Sequence, residues 1–283
     1  MKTSPLGPLI KFRAATLYRA MTTLFRVTPD FIIIGVTKGG TTSLLKYLEK
    51  HPQIKVSWQK EIHFFGSYNF DKGVNWYKKY FPLSLSQRNQ FFQTGEASPE
   101  YFCKSTVVPA QIKEVFPDIK LILLLRNPID RAYSHYLHRY RIGAERSENF
   151  AQLVLEEKSR LIHQFLDCNW GENFDVSSLP SPGCFHLGTG LYFLHLRKWV
   201  QYFSLDQMLI LKSEDFFSYP NDSLHRVTQF LQLPDLPDSS WKVYNASPEN
   251  PELDSQVRED LNEFFDPYNQ RLYDYLGTDF NWH

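Results

Sequence analysis

The 283 residues suffice for one large α/β domain, and 42% hydrophobic against 22% charged side chains exclude wholesale disorder. Thirty-one basic residues balance thirty-one acidic ones, which excludes a general nucleic-acid binder, because displacing counterions from a polyanion takes a large basic surplus. Three cysteines, Cys103, Cys168 and Cys184, form no CxxC pair, so there is no zinc signature and no disulfide scaffold; a bridge between Cys168 and Cys184 stays open.

The first 29 residues carry five basic side chains and no acidic one. On a helical wheel Ile10, Leu17, Met21, Leu24 and Phe25 share a face, with Lys11, Arg19 and Arg26 on another. Two readings stand: a basic amphipathic helix at a membrane surface, or a helix packed on the domain. Arg13 falls badly for the first. Residues 1–28 are therefore set apart from a domain over 29–283. The longest apolar runs, residues 31–36 and 121–125, are far short of the ~20 residues that span a bilayer, and no signal peptide is visible.

Residues 31–36 read as a buried strand, continuous and β-branched. Lys38-Gly-Gly-Thr-Thr42 is a turn, and residues 43–50 a helix stopped at His51-Pro52. Residues 120–125 form a second buried strand, after which Asn127 caps a helix with Pro128 at its first position. Residues 168–186, rich in Gly, Pro, Ser and Asn, read as a long loop. Residues 192–199 read as a helix and 207–211 as a strand, and Asp254 caps a final helix with Val257, Leu261 and Phe264 on one face. Short buried strands alternating with helices predict an α/β three-layer sandwich with a central parallel sheet, P-loop nucleotide-kinase-like.

Gly35-Val-Thr-Lys-Gly-Gly40 satisfies the GxxxxG part of a Walker A loop, but Thr41 and Thr42 stand where that loop has Lys and Ser/Thr. The lysine lies inside the turn, at Lys38. Glycines still let backbone N–H groups converge on an anion ahead of a helix N-terminus. The displaced lysine argues against a nucleotide kinase or NTPase, the first rival reading. A tight turn with a solvated lysine is the bland alternative.

Four stretches and the ending carry a family resemblance. Gly35-Val-Thr-Lys-Gly-Gly-Thr-Thr-Ser-Leu44, Lys60-Glu-Ile-His-Phe-Phe65, Leu123-Leu-Leu-Arg-Asn-Pro-Ile-Asp-Arg-Ala-Tyr-Ser134, Gly190-Leu-Tyr-Phe-Leu-His-Leu-Arg-Lys-Trp199 and Asp279-Phe-Asn-Trp282 are similar to segments of sulfotransferases. The donor of those enzymes is 3′-phosphoadenosine 5′-phosphosulfate (PAPS). The heparan sulfate glucosaminyl 3-O- and N-sulfotransferases and their bacterial relatives are the most similar, over about residues 30–283. The resemblance implies that Lys38 acts at the leaving oxygen, with Gly39, Gly40, Thr41 and Thr42 holding the 5′-phosphosulfate. It implies Arg126 and Ser134 on the 3′-phosphate, Glu61 as general base, and no metal. His63 either orients Glu61 or is the base itself. On a strand the two would share a face, and apolar neighbours would raise the carboxyl pKa towards working pH.

The bland readings are a surface carboxylate for Glu61, a core histidine for His63, an Arg126–Asp130 ion pair, a back-bonded helix hydroxyl for Ser134 and core packing for Tyr192, whose functional alternative is the adenosine pocket. Arg131 is expected to pair with a carboxylate. Three departures stand out. The family's Asp after Phe-Phe is Gly66, its Lys in Glu96-Ala-Ser-Pro-Glu-Tyr-Phe102 is Ala97, and its Lys-Gly-Arg loop is Ala246-Ser-Pro248. They suggest the second rival, a donor-binding scaffold without activity; retained Lys38, Glu61 and His63 oppose it. The expected acceptor is a carbohydrate, and the expected compartment the cytoplasm, with peripheral membrane contact through residues 1–28 and the Golgi lumen as the alternative.

Overall fold

The computed structural model describes residues 6–87, 91–163, 186–237, 240–244 and 251–282, with backbone only at 6–13, 86 and 87. In chain order the elements are α1 (Leu6–Met21), β1 (Phe31–Gly35), α2 (Thr41–Leu48), β2 (Ile54–Val56), α3 (Gly73–Lys78), β3 (Gln93–Ala97), α4 (Val108–Val115), β4 (Lys120–Leu125), α5 (Pro128–Arg141), α6 (Phe150–Leu161), α7 (Tyr192–Trp199), β5 (Met208–Lys212), α8 (Ser213–Ser218), α9 (Pro220–Leu231) and α10 (Ser255–Leu276). The five strands form one parallel sheet in the order β2-β3-β1-β4-β5.

Both faces of the sheet are covered, which is why β1 and β4 are apolar at nearly every position. Ile32, Ile34, Leu121, Leu123 and Leu125 pack on one side with Val108 and Ile112 of α4, Leu196 and Trp199 of α7 and Leu272 of α10. Phe31, Ile33, Ile122 and Leu124 pack on the other with Leu44, Leu45 and Leu48 of α2 and Leu224, Val227 and Leu231 of α9. This is the expected three-layer α/β architecture. The chain order reverses at β1, so the crevice at the carboxyl ends of β1, β3 and β4 is where such a sheet receives ligands.

Asn127 caps α5 as expected, its Oδ1 accepting from the N–H groups of Ile129 (2.9 Å) and Asp130 (3.3 Å). Asp254 caps α10 in the same way. Cys168, Cys184 and Ala246-Ser-Pro248 lie outside the described residues, as does the predicted loop up to residue 185. The chain re-enters at His186 on a buried anchor. Glu157 of α6 accepts from the N–H groups of His186, Leu187 and Gly188, each at 2.9 Å. Glu157→Ala would leave those buried donors unpaired, and a loss of about 3 kcal/mol in unfolding free energy is expected by urea denaturation.

Candidate active site

The glycine turn sits at the carboxyl end of β1. The Val36 N–H donates to the Leu124 carbonyl and the Gly39 N–H to the Val36 carbonyl, both at 2.9 Å. A Cβ on Gly39 would lie 2.8 Å from the Leu124 carbonyl oxygen, so only glycine lets the turn close onto β4. The Ser213 hydroxyl, at the carboxyl end of β5, donates to the Gly39 carbonyl at 2.9 Å. Gly40, with φ 96°, then leads into α2, which begins at Thr41.

Lys38 is held with φ 71°, in the left-handed region that a lysine enters only at a cost. Its ammonium pKa is pushed down by burial first, then by Arg141, Arg126 and Lys60. The charged groups acting on Lys38 are thus all cations.

Arg126 projects from the end of β4 and is locked from three sides. Its Nη1 donates to the Lys38 carbonyl (3.1 Å), its own carbonyl accepts from the Tyr192 hydroxyl (2.8 Å), and the next N–H, of Asn127, donates to Glu214 Oε1 (2.8 Å). The alternative pair with Asp130 does not form: Asp130 binds Arg258 at 2.7 Å. Tyr192 is buried between Phe102 and Trp282, so it supports Arg126 from behind. Ser134 is buried two turns along α5. Beside Arg126 opens a cavity of about 410 Å3, lined also by Asp130, Tyr133, Glu252, Leu253 and Arg258. Arg131 corrects an expectation. Fully buried, it donates to the His186 carbonyl rather than pairing with a carboxylate.

Glu61 and His63 also depart from expectation. Their segment is not a strand, and both have positive φ, 59° and 49°. The Glu61 N–H donates to the Ala97 carbonyl (3.0 Å), and the Tyr101 hydroxyl accepts from the N–H groups of Phe64 (2.8 Å) and Phe65 (3.3 Å), so the chain between must fold back. The side chains still meet. Glu61 Oε2 lies 3.6 Å from His63 Nε2, and Oε1 lies 2.8 Å from Lys60 Nζ. The Glu61 carboxyl is not raised: His63 foremost, with help from Lys60, outweighs burial and pulls it down to about 2. The same contact raises His63, with Glu100 adding to it.

Five described non-glycine residues have positive φ, and three of them are Lys38, Glu61 and His63. Of the others, Gln232 is a helix C-cap. Strain concentrated at three side chains chosen for chemistry is the pattern of a functional site.

Gly66 has φ 64°, and a Cβ there would meet Val108 Cγ2 at 2.7 Å, so the family's Asp cannot occupy this backbone unchanged. Ala97 is fully buried. Sequence reasoning missed Ser213 and Glu214, which brace the turns after β1 and β4 from the start of α8, and Glu96, a buried carboxylate accepting from Tyr77 (2.9 Å) and Ser98 (2.7 Å). Polar residues directly after a buried strand were the available signal for the first pair.

A strained lysine in a glycine turn, a braced arginine at the end of the neighbouring strand and a strained carboxylate–imidazole pair are the chemistry-bearing groups of this end of the sheet. The chain belongs to the sulfotransferase domain family, whose model matches residues 28–249, and it is a PAPS-dependent sulfotransferase. It is 30% identical over 285 residues to mouse heparan sulfate glucosamine 3-O-sulfotransferase 5, covering 92% of this chain and 75% of that one. It is 28% identical to the bifunctional heparan sulfate N-deacetylase/N-sulfotransferase 1 of Caenorhabditis elegans, over 88% of this chain and 30% of that one. Among solved structures, a sulfotransferase from Alicyclobacillus acidocaldarius superposes with a TM-score of 0.66 at 26% identity, over 90% of this chain and 99% of that one.

Proposed function

We propose that the protein moves the sulfuryl group of PAPS onto a hydroxyl or amine of a carbohydrate by in-line displacement. The observation that carries the donor half is the gathering of cations at the glycine turn: Arg126 bonds the Lys38 carbonyl at 3.1 Å, and burial first, then Arg141, Arg126 and Lys60, depress the Lys38 ammonium. Cations converging on a glycine turn favour a multiply charged anion. Bound PAPS supplies the sulfuryl group and departs as PAP.

Lys38 stabilises the charge that grows on the bridging oxygen, an interaction stronger in the transition state than before it. The N–H groups of Gly40, Thr41 and Thr42 and the hydroxyls of Thr41 and Thr42 hold the phosphosulfate, while Gly39, whose N–H bonds the Val36 carbonyl, shapes the turn. Arg126 presents its guanidinium fork to the 3′-phosphate, with Ser134 as a second donor. Glu61 takes the acceptor proton while His63 sets its basicity. The carbohydrate assignment is supported by the glucosamine-sulfating relatives.

Affinity for PAP against AMP tests the donor half. PAP is expected to bind far more tightly to the wild type. Arg126→Ala should weaken PAP by about 10- to 100-fold with little effect on AMP, since a charge-assisted hydrogen bond contributes about 1.5–3 kcal/mol. Equal affinity of the wild type for PAP and AMP would overturn the assignment.

A further inference from the structure

Residues 14–25 present an unusual surface. Leu17, Tyr18, Met21, Leu24 and Phe25 are between 56% and 75% exposed, within nine residues of chain. Leu85, on the turn whose Ser84 hydroxyl donates to the Phe25 carbonyl at 2.9 Å, is exposed beside them. Scattered exposed apolar residues need no explanation, but a run of five large ones does.

The segment is not a loose tail at this end. The buried Arg26 donates to the Phe81 carbonyl (2.6 Å) and the Arg19 carbonyl (3.3 Å), and the Val27 N–H donates to the Pro82 carbonyl (3.1 Å). The Arg19 guanidinium lies over the Trp58 ring, 4.9 Å from its centre, and Trp58 stacks on Tyr80. The domain therefore grips this segment by its arginines, while the large apolar side chains are left facing outward. That inverts the packed-helix alternative, in which the apolar face meets the core.

We propose that α1 and the turn after it dock the protein in the plane of an anionic lipid bilayer, with Leu17, Tyr18, Met21, Leu24 and Phe25 entering the headgroup boundary. Charge complementarity selects this occupant. Residues 1–29 carry no acidic residue, and Lys2, Lys11 and Arg13 add positive charge beyond Arg19 and Arg26, which the domain engages. A second copy of the chain seated symmetrically on the same face would bring these cations against themselves. Anionic headgroups attract them. No described helix is long and apolar enough to cross a membrane, so the contact is in-plane.

The test is co-sedimentation of the full chain with vesicles of phosphatidylcholine alone or mixed with phosphatidylglycerol. Wild type is expected to sediment with the mixed vesicles, weakly with neutral ones, and less as salt rises. The triple variant Leu17→Gln, Met21→Gln, Leu24→Gln should bind at least about ten-fold less, with an unchanged circular dichroism spectrum and thermal midpoint. Met21→Glu alone should act in the same direction and is a second variant should the triple not fold. Lys11→Glu with Arg13→Glu should remove the preference for anionic vesicles. Wild type remaining in the supernatant, or the triple variant sedimenting like wild type, overturns the proposal. So does a concentration-dependent dimer in sedimentation velocity that the triple variant abolishes, which would make the patch a protein interface.

Discussion

Lys38→Ala is expected to lower turnover at saturating donor by about 100- to 1,000-fold, the range for removing one preorganised group at a developing oxyanion. The structure sharpens the design of the test. Lys38 adopts φ 71°, where a Cβ costs about 1–2 kcal/mol, so alanine keeps the strain while losing the cation. Lys38→Gly removes both. The glycine variant should therefore unfold at higher temperature than the alanine variant and be equally slow. Lys38→Arg keeps a charge but spreads it over a planar fork, and should recover little of the rate. Removing the ammonium also relieves the repulsion it shares with Arg141, Arg126 and Lys60, so PAP affinity should fall less than turnover does. Single-turnover rates with labelled PAPS, beside calorimetric PAP affinities, separate the two effects. Full turnover at saturating donor combined with weakened PAP binding would make Lys38 a binding group only.

What could be read in advance follows from where the physics is local. β1 and β4 are buried on both faces and the edge strand β5 is partly buried on both, so each appears as an apolar run in the sequence. β3 is as central, yet reads Gln-Thr-Gly-Glu-Ala, because its polar side chains are satisfied inside: Glu96 by Tyr77 and Ser98, Thr94 by the Lys55 carbonyl. No hydropathy pattern marks such a strand. The turns after β1 and β4 were legible because glycines and a capping asparagine encode backbone shape in neighbouring residues. Their bracing was not. Ser213 reaches Gly39 across 174 positions and Glu214 reaches Asn127 across 87, contacts created by the order of strands in the sheet. The Lys60–Phe65 stretch was recognisable as chemistry but not as conformation. A strand there would have put Glu61 and His63 on one face, whereas long-range bonds to Ala97 and Tyr101 fold the chain into two left-handed residues.

Glu61→Gln is expected to lower kcat by about 100- to 10,000-fold, the usual contribution of a positioned general base, and to leave PAP affinity nearly unchanged. The contact with His63 determines how this shows in pH dependence. While His63 is protonated it holds the Glu61 carboxyl at about 2, which makes a stable anion and a poor base. The imidazole pKa is raised, so this state persists to pH above the ordinary histidine value. As pH rises through the raised pKa, His63 loses its proton and Glu61 becomes more basic. The rate should therefore climb with pH on a limb whose midpoint lies above about 6.5 and belongs to the pair rather than to either group. In Glu61→Gln the imidazole loses its chief partner, burial then pulls its pKa down, and Glu100, at 3.9 Å, still supports the charged form. Proton NMR of the His63 ring should show its midpoint moving to lower pH, a readout that needs no acceptor, and the activity limb should vanish. The converse variant, His63→Asn, should raise the Glu61 pKa above about 2 and flatten the same limb while keeping measurable turnover. If Glu61→Gln retains near-normal turnover and His63→Ala abolishes it, the acceptor proton goes to the imidazole and the roles are exchanged.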